Sequence, residues 1–218
     1  TLTCGEEPVS GILCRGQDYV SITDIGPDSD ARDVVWVGTV AYVADRDYGL
    51  LIYDYTDPEH PQLIGAGPEY AGAKTIDVAD DVAYLGLGDA LYAVDVSRPA
   101  NLMTLDTISA SEIQDVWVQG SHAYVVLQTS ALRSISIADP ADLVQVGQVN
   151  FPSFSNSVFV VGSLAYVTLH NNARLVVVDV SDPSDPDELG FVSFAGDGAQ
   201  DVVVAGSIAY VATAAGLR

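Results

Sequence analysis

The dipeptide Ala-Tyr occurs at Ala41-Tyr42, Ala83-Tyr84, Ala123-Tyr124, Ala165-Tyr166 and Ala209-Tyr210, at spacings of 42, 40, 42 and 44 residues. A near-constant period of this length marks a repeat architecture, one supersecondary unit copied along the chain. The flanks repeat too. Ahead of each dipeptide lie an apolar stretch and a small polar turn: DVVWVGTVAY from Asp33, TIDVADDVAY from Thr75, DVWVQGSHAY from Asp115, SVFVVGSLAY from Ser157 and DVVVAGSIAY from Asp201. Turn pairs such as Gly38-Thr39, Gly120-Ser121, Gly162-Ser163 and Gly206-Ser207 suit tight hairpins, so the first two strands of each unit are expected to pair antiparallel.

A third apolar run follows as LLIYDY from Leu50, LYAVDV from Leu91, LRSISI from Leu132 and LVVVDV from Leu175. It ends in Thr56-Asp57-Pro58, Ser97-Arg98-Pro99, Ala138-Asp139-Pro140 and Ser181-Asp182-Pro183. Proline fixes φ and lacks an N–H, so the strand stops there, and an Asp before it can accept local backbone hydrogen bonds. A fourth strand runs through QLIGAG, LMTLDT, LVQVGQ or ELGFVSF. Nowhere does a 3.6-residue period extend for any length.

Four strands in about 42 residues is the pattern of a propeller blade. The first strand is apolar on both faces, as in Val34-Val35-Trp36-Val37, which fits a strand held between neighbouring blades rather than on a one-faced sheet. A β-sandwich is the competing architecture, but it has no need of so regular a repeat. The expected fold is all-β: a β-propeller of four-stranded antiparallel blades forming one domain over residues 1–218. The repeats fall near 33–74, 75–114, 115–156, 157–200 and 201–218. Residues 9–32 read as the missing third and fourth strands of the last unit (Gly11–Cys14 and Tyr19–Ile25), which gives five blades, four complete and one split between the chain ends. A fragment of a larger propeller is the rival expectation, and the chain, lacking an initiator Met, reads as processed or excised.

The segments LLIYD, LYAVD and LVVVD, preceded by DVxVxGxxAYV and followed by SDP, resemble the LVIVD-repeat proteins from Asp33 to Arg218. The third copy departs from the pattern with Ser136 in place of the Asp54, Asp95 and Asp179 of the others, and the second with Arg98 in place of the turn Asp. The resemblance implies a blade architecture and frequent occurrence in secreted or surface proteins of bacteria and archaea. It implies no defined catalytic residues.

Composition limits the partners. The chain carries 30 acidic against 8 basic residues, a net charge of −22, and its only lysine is Lys74. That leaves no basic footprint for nucleic acid and none for an anionic membrane surface. An extracellular setting rich in cations, a saline setting or plain solubility through charge would each account for the acidity. With no apolar run of 18 residues, no transmembrane helix is expected. Cys4 and Cys14 suggest a short disulfide loop in an oxidising compartment, with two unpaired thiols as the alternative, and their number and spacing do not suit zinc.

The aligned first-strand positions Asp33, Thr75, Asp115, Ser157 and Asp201 would form a ring at one mouth of the channel. Three carboxylates with hydroxyls between them are candidate metal ligands for a hard cation such as Ca²⁺. The competing expectation is that each Asp caps backbone amides of its own blade. Asp45-Arg46-Asp47-Tyr48-Gly49 lacks the ligand spacing and terminal Glu of an EF-hand. His60, His122 and His170 fall in three different blade contexts and form no catalytic motif. The expected function is a non-enzymatic extracellular or cell-surface module, with the periplasm as the alternative location, that binds a protein or a cell-surface ligand. The alternative is a metal-dependent propeller hydrolase of the lactonase type.

Overall fold

The computed structural model describes residues 29–218 apart from Asn172 and Asp197. The expected disulfide of Cys4 and Cys14, and the N-terminal strands up to residue 28, lie outside the described residues. Four four-stranded sheets and one three-stranded sheet follow one another along the chain, and every pairing between neighbouring strands is antiparallel. The first blade contains β1 (Ala31–Val37), β2 (Val40–Asp45), β3 (Gly49–Asp54) and β4 (Gln62–Gly67). The second contains β5 (Ala73–Ala79), β6 (Val82–Leu87), β7 (Ala90–Asp95) and β8 (Met103–Ser109). The third runs from β9 (Ile113–Gln119) through β10 (His122–Leu127) and β11 (Ala131–Ser136) to β12 (Val144–Asn150). The fourth has β13 (Ser155–Val161), β14 (Leu164–Leu169), β15 (Arg174–Asp179) and β16 (Asp187–Ser193), and the fifth β17 (Ala199–Ala205), β18 (Ile208–Thr213) and β19 (Gly216–Leu217). The first strands adjoin in series, β1 on β5, β5 on β9, β9 on β13 and β13 on β17. The arrangement is a β-propeller of five blades.

The Ala-Tyr repeat has a packing reason. Successive strand residues point to opposite faces, so the tyrosine reaches towards the next blade and the alanine faces the previous one. Tyr42 packs in one cluster with Ala83, Tyr84 with Ala123, Tyr124 with Ala165 and Tyr166 with Ala209. The small side chain makes room for the ring from the blade before. Ala83, Ala123 and Ala165 are completely buried. The two-faced first strand follows from the same stacking. Ile76, Val116, Val158 and Val202 are buried against the preceding blade, and across the third and fourth blades the rings of Trp117 and Phe159 lie 4.2 Å apart. The outward faces of the end blades differ: Val34 and Trp36 on the first and Val203 and Tyr210 on the last are exposed.

The turns use the residues the sequence marked. Gly38, Gly120, Gly162 and Gly206 all have φ near +60°, while the second blade turns at the equivalent place with both Asp80 and Asp81 at positive φ, +49° and +62°. Asp tolerates this left-handed region better than most residues, which explains DD where the other blades have Gly-Ser or Gly-Thr. At the end of the third strand Asp54, Asp95 and Asp179 accept the N–H groups of Thr56, Ser97 and Ser181. Asp57, Asp139 and Asp182 do the same one turn later for Glu59, Ala141 and Ser184. The acidic residues of the repeat motif are thus turn caps. Hydrogen bonds from Thr56, Ser97 and Ser184 hold the Asp54, Asp95 and Asp182 carboxyls below the usual carboxylate range.

Outer contacts tie blade to blade as well. A Cβ on Gly65 would lie 2.4 Å from the carbonyl oxygen of Pro99, and one on Gly147 would lie 2.2 Å from that of Pro183. The fourth strand thus rests backbone to backbone on the next blade's proline turn. The second blade has Asp106 at the matching position, and its carboxylate accepts the N–H of Leu143 in the turn after it.

Candidate functional site

In a blade the first strand is the inner edge of the sheet. Its axis-facing N–H groups have no strand to pair with, and a buried unpaired N–H is costly. The residues aligned at Asp33, Thr75, Asp115, Ser157 and Asp201 meet this need. Asp33 accepts from Val34 of its own blade through Oδ1 and from Ile76 of the next through Oδ2, at 2.8 and 2.9 Å. Asp115 repeats the arrangement with Val116 and Val158, both at 2.9 Å. In the second blade the hydroxyl of Thr75 takes the carboxylate's place and accepts the Val116 N–H at 3.2 Å. Ser157 donates to Asp201, which accepts Val202 N–H of its own blade.

The capping expectation is therefore corrected in one respect. Asp33 and Asp115 cap amides of their own blade and also clasp the blade that follows, while Asp201 caps its own blade and takes the Ser157 hydroxyl of the blade before. Sequence alone could not show this second partner, because it lies some 41 to 44 residues away.

Thr75 is the pivot of the group. Its Oγ1 lies 3.0 Å from both Asp33 Oδ2 and Asp115 Oδ1. One hydroxyl hydrogen serves one carboxylate at a time, so the second contact becomes a hydrogen bond when Asp115 carries a proton. Burial pushes the Asp115 carboxyl up to about 7; the negative charge of Asp33 adds to this, and the donors from Val158, Ser157 and Thr75 oppose it. Thr75→Val keeps the shape and removes the hydroxyl. It is expected to lower stability by about 2 kcal/mol, the usual range for a buried polar group losing its partner, read as a shift of the urea midpoint.

Asp77 is a clasp that the sequence reading missed. Its two oxygens accept Val78 N–H and Val118 N–H at 2.8 and 2.6 Å, joining the second blade to the third a second time. Burial raises its pKa, with a contribution from Asp33, while the two amides pull it down. The signal was present in the repeat: Asp77 stands where the other blades have Val35, Trp117, Phe159 and Val203.

As a cation site the ring fits poorly. The oxygens of Asp33 and Asp115 already accept amide and hydroxyl donors, whereas Ca²⁺ needs six to eight oxygens turned towards one point. Among the described residues no group of three or more His, Cys, Asp or Glu is placed to hold a metal ion. Asp45 caps the hairpin of Asp45–Gly49 by accepting Asp47 and Tyr48 N–H groups. The histidines stay apart: His60 pairs with Asp57 at 3.0 Å, His122 lies 3.3 Å from the Ser121 hydroxyl, and His170 lines a cavity between the third and fourth blades.

Just ahead of the clasps, each first strand carries a β-bulge. The extra residues are Arg32, Lys74, Gln114, Asn156 and Gln200. Bulges re-aim side chains and are common near functional sites. Here they set polar groups around one end of the axis.

Fold and clasps together define a β-propeller whose blades are locked edge to edge by inward oxygen side chains. The LVIVD repeat model matches residues 28–66, 111–151, 154–193 and 195–218, more than half of the chain, and the protein belongs to that repeat family. The second blade, which has Asp77, Asp80, Asp81 and Arg98 where the pattern differs, lies outside the matched segments. No curated protein matches the sequence. Among solved structures, a functionally unknown protein from Desulfotomaculum acetoxidans superimposes with a TM-score of 0.74 at 15% identity, over 85% of this chain and 63% of that one. The computationally designed Ika8 protein gives 0.69 at 9% identity, over 85% of this chain and 56% of its own. These likenesses concern the fold, and this chain spans less than two-thirds of either structure.

Proposed function

We propose that this chain is a non-enzymatic binding and structural module acting outside the cell or at its surface. One observation carries the reading. The position at which repetition could concentrate chemistry is taken up by clasps between blades, while the loops at the blade ends differ from copy to copy. A rigid ring with variable loops suits the display of contacts to a protein or a cell-surface ligand. The Asp-rich surface supports an exterior setting and gives nucleic acid no basic footprint. Among the described residues no helix is long and apolar enough to cross a membrane.

The test is metal analysis of purified protein before and after chelator, with a hydrolase screen on lactones and esters and thermal melts in Ca²⁺. The expected result is no stoichiometric metal and no turnover that chelation abolishes. Stoichiometric metal together with chelator-sensitive hydrolysis would overturn this reading in favour of a metal-dependent hydrolase.

A further inference from the structure

Between the third and fourth blades lies a cavity of about 420 Å³, within the size range of small-molecule sites. Its lining is unusual for a chain with a net charge of −22: the carboxamides of Gln114, Gln128, Asn156 and Asn171, the imidazole of His170 and the ring of Phe154, with no Asp, Glu, Lys or Arg among the described lining residues. The side-chain amides of Gln128 and Asn171 make no hydrogen bond within the described residues. Asn156 is fixed by donating to the carbonyl of Ala199 at 2.6 Å, and its amide nitrogen also lies 3.4 Å from His170 Nδ1, which leaves its Oδ1 as an acceptor. Gln114 is tied only by a 3.3 Å bond to the Glu112 carbonyl.

The rim is held in place. His170 N–H donates to the Phe154 carbonyl, and the His170 carbonyl accepts from Gly198. Phe154 itself is 47% exposed. The corresponding position in the other blades is Asp30, Gly72, Glu112 or Gly198, so this aromatic ring belongs to one gap alone. Two of the carboxamides, Gln114 and Asn156, are bulge residues and so turned out of the strand ladder.

We propose that this cavity binds a neutral saccharide. The carboxamides of Gln128 and Asn171 each offer a donor and an acceptor in one plane, which suits adjacent hydroxyl groups, and Asn156 adds an acceptor. An exposed ring on a polar rim offers an apolar face to the C–H side of a sugar. A charged ligand would find no counter-charge in the lining. The assignment rests on the binding-module reading and names its ligand class.

The test uses the full chain on an array of neutral, acidic and amino oligosaccharides, then calorimetric titration with the free neutral sugars that score. Neutral sugars are expected to bind, and glucuronic acid and glucosamine are expected to bind more weakly. Phe154→Ala is expected to weaken binding about tenfold, or some 1.4 kcal/mol. Phe191→Ala, which removes an exposed ring on the outer strand β16, is expected to leave it unchanged. Failure of every neutral sugar to bind at millimolar concentration would overturn the assignment, as would binding indifferent to Phe154→Ala. A protein ligand captured elsewhere on the ring, with no sugar binding, would sink the saccharide site and keep the module. Cleavage of a bound sugar would keep the site and sink the non-enzymatic reading.

Discussion

Asp115→Ala is expected to destabilise the fold by about 3 kcal/mol, because it strips the carboxylate acceptor from the amides of buried Val116 and Val158, where unpaired donors are costly. Val158 N–H has no other acceptor there, while Val116 N–H falls back on the weaker 3.2 Å contact to Thr75. The damage should centre on the junctions among the second, third and fourth blades. Asp115→Asn is expected to behave differently. An amide can donate to Thr75 Oγ1 as the protonated acid does and still accept from Val158, with the Val116 N–H left to the 3.2 Å contact with Thr75 Oγ1.

The pH dependence separates the two variants. The carboxyl of Asp115 titrates near 7 in the fold, against about 3.9 in an unfolded chain. Between these values the native state holds the extra proton, so this group's contribution to stability is full below about pH 4 and declines as pH rises through 7. Above that it is flat. Urea midpoints of the wild type should carry this downward component between pH 4 and 7, and Asp115→Asn should lack it. The turn caps run the other way. Asp54, Asp95 and Asp182 are held below their usual range by their serine and threonine partners. Their support is present above the unfolded pKa and is lost as pH falls through the folded one.

Gly147→Ala has the second large expected effect, a loss of about 3 kcal/mol, the upper end for overpacking. The added Cβ would meet the Pro183 carbonyl at 2.2 Å and the Pro186 Cδ at 2.9 Å. Neither is the tip of a flexible side chain, so one blade must move away from the next. Gly65→Ala should repeat the effect at the junction of the first and second blades, against Pro99. Urea denaturation of both variants checks it. A midpoint within error of the wild type in both would show that the fourth strand and the proline turn are not in load-carrying contact.

The strands were legible because period, alternation and turn chemistry all pointed to the same units. Gly38-Thr39 and its counterparts announced hairpins, and Asp57-Pro58 announced the end of a third strand. Interactions between blades were less legible. Ala-Tyr was visible as a repeat, but that Tyr84 fills the space left by Ala123 depends on stacking that no single blade encodes. The ring of Asp33, Thr75, Asp115, Ser157 and Asp201 was found by alignment, and its chemistry was open until the N–H groups it faces were in place. The bulges at Arg32, Lys74, Gln114, Asn156 and Gln200 left no signature, since they share neither a residue type nor a glycine. Phe154 was hidden for a related reason: it sits in a linker position that varies freely, where repetition is silent.

Inward oxygen side chains lock each of the first four blades to the one that follows it. Amide hydrogen exchange at Val158 tests it most directly, in the wild type and in Asp115→Ala. Protection at Val158 is expected to fall by about two orders of magnitude, the equivalent of roughly 3 kcal/mol of local opening. The amides of Val167 and Val176 in the body of the same blade should lose less. Val158 protected to the same degree relative to those neighbours in both proteins would contradict the clasp.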